Sequence, residues 1–205
     1  MNHTKVYVVD DDPAVRDSLM LLFEQDGINV EPFASANDFL LACDSLTQPS
    51  CAIVDIRMPG MDGLELQAEL ARRKIQIPII FLTGHGNIPM SVRAIKSGAV
   101  NFLTKPVTGT ELRESVQAAL AESEKLQTQS ETINTVAKRL SSLTHREHEV
   151  MAQAVAGLSN KEIARHLGIS HRTVEIHKAR VMHKTGAETL LDLAHLAETG
   201  KLLSE

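Results

Sequence analysis

Three carboxylates, a hydroxyl and an ammonium stand at the ends of four short apolar runs. Val6-Tyr7-Val8-Val9 leads into Asp10-Asp11-Asp12, and Cys51-Ala52-Ile53-Val54 into Asp55. Ile79-Ile80-Phe81-Leu82 leads into Thr83, and Val100-Asn101-Phe102-Leu103 passes through Thr104 to Lys105-Pro106. Short continuous apolar runs mark buried parallel strands, and open α/β sheets carry their sites at the carboxyl ends of strands. The five groups would therefore meet at one edge, able to hold a divalent cation and a phosphoryl group. Oxygen ligands favour Mg²⁺, which takes few carboxylates beside water and phosphate oxygens. Asp55 is the expected nucleophile, since a carboxylate can attack phosphorus to give an aspartyl phosphate. Asp10 and Asp11 would supply or orient the metal ligands. Lys105 would neutralise phosphoryl charge, and Thr83 would donate a hydrogen bond to it. Taken singly, each has a plainer use. Asp10 to Asp12 before Pro13 also suit a helix N-terminus, Asp55 a turn, Thr83 a strand end, and Lys105 a surface.

The elements around these residues alternate. Pro13 to Gln25, Ser35 to Ala42, Gly63 to Arg73, Ile88 to Lys96 and Thr110 to Ala121 have helical amphipathic patterns. A fifth strand fits Asn29-Val30-Glu31-Pro32-Phe33. Alternating βα units predict an α/β fold, a doubly wound five-stranded parallel sheet. From Ser123 the composition turns polar, without Gly or Pro, and Leu112, Ala119, Leu126, Ile133 and Leu140 recur every seven residues. That stripe predicts a helix, although an accidental spacing in a polar tether would look the same. The expected division is 1–122, a helical linker over 123–141, and an all-α domain over 142–205.

The remaining segment is helical throughout. Thr144 with Glu147, and Ser159 with Glu162, have capping-box spacing. Gly168-Ile169 makes a turn, and Ser170 caps a helix to about Thr185. Two short helices joined by a Gly-containing turn predict a helix-turn-helix. The chain's net charge of −5 conceals an asymmetry, because residues 1–122 hold 16 acidic and 10 basic side chains. Residues 160–185 instead carry Lys161, Arg165, Arg172, Lys178, Arg180 and Lys184 against Glu162 and Glu175. A basic patch in an acidic chain points to nucleic acid. Ile176 lies about 200° around the helix from Val174, so it should face outward beside Glu175 and Ala179. There it could meet a thymine methyl, with Glu175 accepting from a cytosine amino group. Lys161, Thr173, Lys178, Arg180 and Lys184 suit phosphates. A solvated basic face on a small interaction module is the plainer alternative. His177 is as well suited to the small core as to a phosphate. No apolar run is long enough to span a bilayer, no signal segment opens the chain, and Cys43 and Cys51 form no disulfide framework. A cytoplasmic protein without a membrane partner is expected.

Val9-Asp10-Asp11-Asp12, Asp55-Ile56-Arg57-Met58-Pro59-Gly60-Met61-Asp62-Gly63, Thr83-Gly84-His85-Gly86 and Lys105-Pro106 resemble receiver domains of bacterial two-component systems. Leu143-Thr144-His145-Arg146-Glu147, Gly157 to Ala164 and Ile169 to His177 resemble the four-helix LuxR-type DNA-binding domain. Together they resemble response regulators of the FixJ/NarL type. The resemblance implies that Asp55 receives phosphate from a sensor histidine kinase. It implies Mg²⁺ held by Asp11, Asp55 and the Arg57 backbone carbonyl, with Asp10 helping through water. It implies a cis Lys105-Pro106 peptide and a switch in which Phe102 turns inward as the Thr83 hydroxyl moves. Because Phe102 lacks a phenolic hydroxyl, that switch would work by packing. The implied partners are the kinase, double-stranded DNA, a second copy on phosphorylation, and RNA polymerase. No enzymatic activity beyond the chain's own phosphoryl transfer and dephosphorylation is implied. Two rival functions meet obstacles in the sequence. A small-phosphoester hydrolase needs an aspartate two residues beyond its nucleophile, where Arg57 stands. An inducer-binding regulator needs a mostly apolar cavity instead of an acidic pocket.

Overall fold

The computed structural model describes residues 4–43 and 49–201, with only the backbone of the last two. The chain divides into two compact units between Gln127 and Thr128.

The first unit holds β1 (Lys5–Val9), α1 (Pro13–Glu24), β2 (Asn29–Phe33), α2 (Ala36–Ala42), β3 (Ser50–Val54), α3 (Gly63–Arg72), β4 (Ile79–Thr83), α4 (Ile88–Lys96) and β5 (Asn101–Thr104). Helix α5 (Gly109–Ser141) follows and runs on into the second unit. The five strands are parallel in the order β2-β1-β3-β4-β5. Strand β3 and strand β4 are buried at every position, as their apolar runs require. Successive side chains point to opposite faces, so each strand feeds two cores. Tyr7, Val9, Ala52, Val54, Ile79 and Phe81 meet α2, α3 and α4 through Phe39, Leu66, Leu70 and Ala94. Val6, Val8, Cys51, Ile53, Ile80 and Leu82 meet α1 and α5 through Leu19, Phe23, Leu112, Val116 and Ala119. The edge strand β2 contains Pro32, opposite Val8, where a missing amide is tolerated.

Caps fix where the helices begin. Asp12 caps α1, with Pro13 in its first turn, and Asp62 and Glu65 form a capping box on α3. Helix α5 is one element across the stretch that carries the sevenfold spacing. Its stripe is covered unevenly, with Leu112 and Ala119 buried but Ile133 37% exposed.

The second unit adds α6 (His145–Val155), α7 (Asn160–Leu167), α8 (His171–Thr185) and α9 (Leu190–Lys201). Both capping boxes anticipated from spacing are formed, Thr144 with Glu147 and Ser159 with Glu162. Gly168 ends α7 in the left-handed conformation at φ 65°, a shape glycine adopts without steric cost. Ser170 then caps α8. Val150, Ala154, Ile163 and Val174 form one small core, and Leu143, Met151, Val181 and Leu193 another. No helix among the described residues is long and apolar enough to cross a membrane.

Candidate functional site

The carboxyl ends of β1, β3 and β5 bring the anticipated acids and lysine together. Carboxylate oxygens of Asp10, Asp11 and Asp55 lie within 4.8 Å of one another. Asp10 and Asp55 are buried and Asp11 is exposed, so the cluster has a dry floor and a wet mouth. Like charges packed this closely repel unless a cation joins them. Here Lys105 Nζ donates to Asp10 Oδ2 at 2.7 Å. Asp10 Oδ1 accepts from the Asp12 amide at 3.0 Å, and Asp55 Oδ1 from the Ile56 amide at 2.8 Å. Burial raises the Asp10 carboxyl above its ordinary range, opposed by the hydrogen bonds from Lys105 and the Asp12 amide. An all-oxygen set of this spacing fits a small hard cation such as Mg²⁺.

Thr83 is fully buried at the end of β4, and the Lys105 amide donates to its carbonyl at 2.8 Å. The Lys105-Pro106 peptide is cis. Phe102 is half-buried on β5, its ring centroid 6.3 Å from that of Phe81. Arg57 is exposed on the loop after β3.

Two residues support the pocket in roles the sequence did not assign to them. Arg16 Nη1 donates to the carbonyls of Asp10 at 2.7 Å and Asp11 at 3.0 Å, tying the acidic loop to α1. The available signal was a cation in the first turn of a helix, where the dipole disfavours one. Gly63 is the other. Its amide donates to Ile56 O at 2.9 Å, and a Cβ there would fall 2.4 Å from the Asp55 carbonyl oxygen. Only glycine lets α3 start this close to the Asp55 backbone.

The second candidate surface is α7, the Gly168 turn and α8. Val174 and Val181 are buried whereas Ile176 is 45% exposed, the outward placement its helical angle demanded. Lys161, Glu175, Ala179 and Arg180 are exposed. Glu175 lies 3.4 Å from His171 Nδ1. Thr173 shares a 2.8 Å hydrogen bond with the capping Ser170 hydroxyl, so part of its capacity goes to holding the helix start. Lys178 Nζ donates to Asn160 Oδ1 at 3.0 Å, linking α8 to α7. His177 is half-buried, and its Nδ1 has no hydrogen-bond partner among the described residues.

Lys184 departs from the phosphate contact expected of it. Its ammonium donates to Glu147 Oε2 at 2.6 Å and to Ser142 O at 3.1 Å. Glu147 is buried and also accepts from the Thr144 amide. The bond from Lys184, then that from Thr144, holds its carboxyl down at about 2. A cation tied to a buried carboxylate anchors α8 to α6, so Lys184 acts within the unit. Arg146 reinforces the arrangement, reaching from α6 to Glu149 and to the carbonyl of Leu167 at the end of α7.

Comparison with known proteins covers both surfaces. The response regulator receiver domain matches residues 6–117, and the luxR family of bacterial regulatory proteins matches residues 141–197. Nodulation protein W of Bradyrhizobium diazoefficiens is 44% identical over 197 residues, 95% of this chain and 85% of that protein. Transcriptional regulatory protein FixJ of the same organism is 40% identical over 200 residues, 98% of this chain and 97% of that one. Among solved structures, response regulator StyR is 40% identical with a TM-score of 0.84, covering 96% of this chain and 98% of that chain. An acidic strand-end cluster in one unit, a helix-turn-helix in the other, and relatives matched along nearly their full length lead to one assignment. The chain belongs to the response regulators that join a receiver domain to a LuxR-type DNA-binding domain, and it is a transcriptional regulator of that family.

Proposed function

We propose that the chain is switched by phosphorylation of Asp55. The observation that carries this is the convergence of Asp10, Asp11 and Asp55 with Lys105 at one sheet edge. An Asp55 oxygen bonds to phosphorus as the P–N bond of a sensor kinase's phosphohistidine breaks, and the imidazole, already protonated on its other nitrogen, takes the P–N electron pair and leaves neutral. Asp10, Asp11, Asp55 and the Arg57 carbonyl would hold Mg²⁺, whose chemistry is neutralisation of phosphoryl charge. Lys105 leaves Asp10 and pairs with a phosphoryl oxygen. Thr83 donates its hydroxyl to another, and Phe102 turns into the space this opens.

The response is pairing of two copies through the face of α4, β5 and α5. Helix α4 supports this with an apolar stripe exposed to water, Ile88 at 79%, Val92 at 47% and Ile95 at 47%. Exposed Leu190 and Leu191 on α9 offer a second contact between copies on DNA. Two heads then read a symmetric site in double-stranded DNA. Helix α8 enters the major groove with Glu175, Ile176 and Ala179 at base edges, while Lys161, Thr173, Lys178 and Arg180 meet phosphates. RNA polymerase is the partner through which transcription changes.

Acetyl phosphate with Mg²⁺ should label the wild type and leave Asp55→Ala unlabelled. Labelling that survives the substitution removes Asp55 as acceptor. Light scattering should show a doubled particle mass when beryllofluoride is added to the wild type.

A further inference from the structure

The loop from β4 to α4 begins at Thr83 and contains two glycines, Gly84 and Gly86. A Cβ built on Gly84 meets nothing within 4 Å. One built on Gly86 falls 2.8 Å from Cε1 and 3.2 Å from Cζ of Phe102, and 2.9 Å from Cγ2 of Thr104. Carbon atoms in contact stand about 3.5–4.0 Å apart, so any side chain at 86 needs the space these groups fill. Gly86 is not among the glycines with positive φ, so its backbone does not call for glycine. What calls for glycine is the ring beneath it.

Both obstacles are ends of side chains, so they can give way by rotating while the strand stays in place. One of them is the aromatic residue that relays phosphorylation in the function proposed above, on which this inference rests. The same short loop carries the Thr83 hydroxyl at its start and lies on the Phe102 ring at Gly86. Phe102 has no polar handle, so packing alone decides where its ring sits.

We propose that Gly86 is a positioning residue for the switch: its missing side chain is the resting seat of the Phe102 ring. A methyl group there expels the ring from under the loop and moves the chain toward its paired form without phosphate.

The test uses the full-length Gly86→Ala variant, with particle mass followed against protein concentration, with and without beryllofluoride and Mg²⁺. Without phosphate analogue, the variant should pair about tenfold more tightly than wild type, within the usual range of coupling between sites. The Thr104 methyl resonance should move in the unliganded variant by more than the same substitution moves it in a Phe102→Ala background, where only direct contact with the new methyl acts. Adding Phe102→Ala should cancel the gain, so that the double variant pairs like Phe102→Ala alone. Pairing equal to or weaker than wild type overturns the proposal, as does a gain that persists without the Phe102 ring. If the wild type never pairs with beryllofluoride, the phosphorylation reading fails. The Thr104 methyl then decides alone: a move larger than Gly86→Ala causes in a Phe102→Ala background supports the displaced ring, and an equal or smaller move overturns it.

Discussion

Lys105 donates to Asp10 at 2.7 Å across 95 residues of sequence, so the pocket's own cation lies on one of its expected metal ligands. A divalent ion drawing on Asp10 competes with that lysine. A partly exposed pair is worth about 1 kcal/mol, or roughly fivefold in affinity. Lys105→Ala should therefore bind Mg²⁺ about fivefold more tightly in isothermal titration. The same variant should be labelled at Asp55 without the rise in particle mass. Weaker Mg²⁺ binding would show that the lysine organises the acids and does not compete for them.

Arg16 acts on the pocket through the chain. Its guanidinium holds the Asp10 and Asp11 carbonyls, and removing it frees the loop that aims both carboxylates. Loss of a supporting contact around a metal site typically costs 10–100-fold in affinity, so Arg16→Ala should weaken Mg²⁺ binding by about tenfold. The melting temperature, read by circular dichroism, should change little, because Arg16 is only half-buried at the rim.

The Glu147–Lys184 pair makes a pH prediction for stability. The Glu147 carboxyl sits at about 2 in the fold, against a reference of 4.5. A group depressed by folding stabilises above its unfolded value, and that contribution is lost as pH falls through the folded one. Wild-type stability should thus decline between about pH 4.5 and pH 2 more steeply than that of Glu147→Gln. At neutral pH the variant should be about 1–3 kcal/mol less stable in urea unfolding, the cost of breaking a buried charged hydrogen bond. Parallel pH profiles for the two proteins would remove Glu147 from the acid response.

Arg180 and Lys184 should separate on DNA. Arg180 is exposed, so Arg180→Ala should weaken binding to every sequence and lower the salt-dependence slope by about 1. Lys184→Ala should leave the slope unchanged and lower the melting temperature. Ile176→Ala should cost about 1 kcal/mol of discrimination at one base position with the slope intact. A reduced slope for Lys184→Ala would restore that lysine to the phosphate contacts.

Features with a local cause were legible in the sequence. Strand ends followed from apolar runs stopping at Asp10, Asp55 and Thr83, and caps from spacings such as Thr144 to Glu147. Contacts between distant segments were not. Lys184 looked like its basic neighbours because nothing in its spacing names a buried glutamate 37 residues earlier. Arg16 drew no assignment from the sequence, since its partners are backbone carbonyls and carry no side-chain signature. Gly63 and Gly86 stood in the sequence only as the start of a helix and as members of motifs; the crowding that demands them appears only when α3 and β5 are folded against their loops. For Lys184 and Gly86 the determining partner lies far along the chain, whereas Arg16 and Gly63 meet backbone only five to eight residues away, and neither kind of contact leaves a periodic trace in the sequence.

The placement of Pro32 on the outer rim of the sheet has a wider bearing. That rim withholds an amide donor, the opposite rim is a strand of only four residues, and both are poor templates for a visiting strand. Backbone-to-backbone stacking of neighbouring molecules obeys no chemical signal and would proceed at any phosphate level. By keeping both borders uninviting, the architecture reserves side chains on helices for the proposed encounter between copies, where control by Asp55 can act.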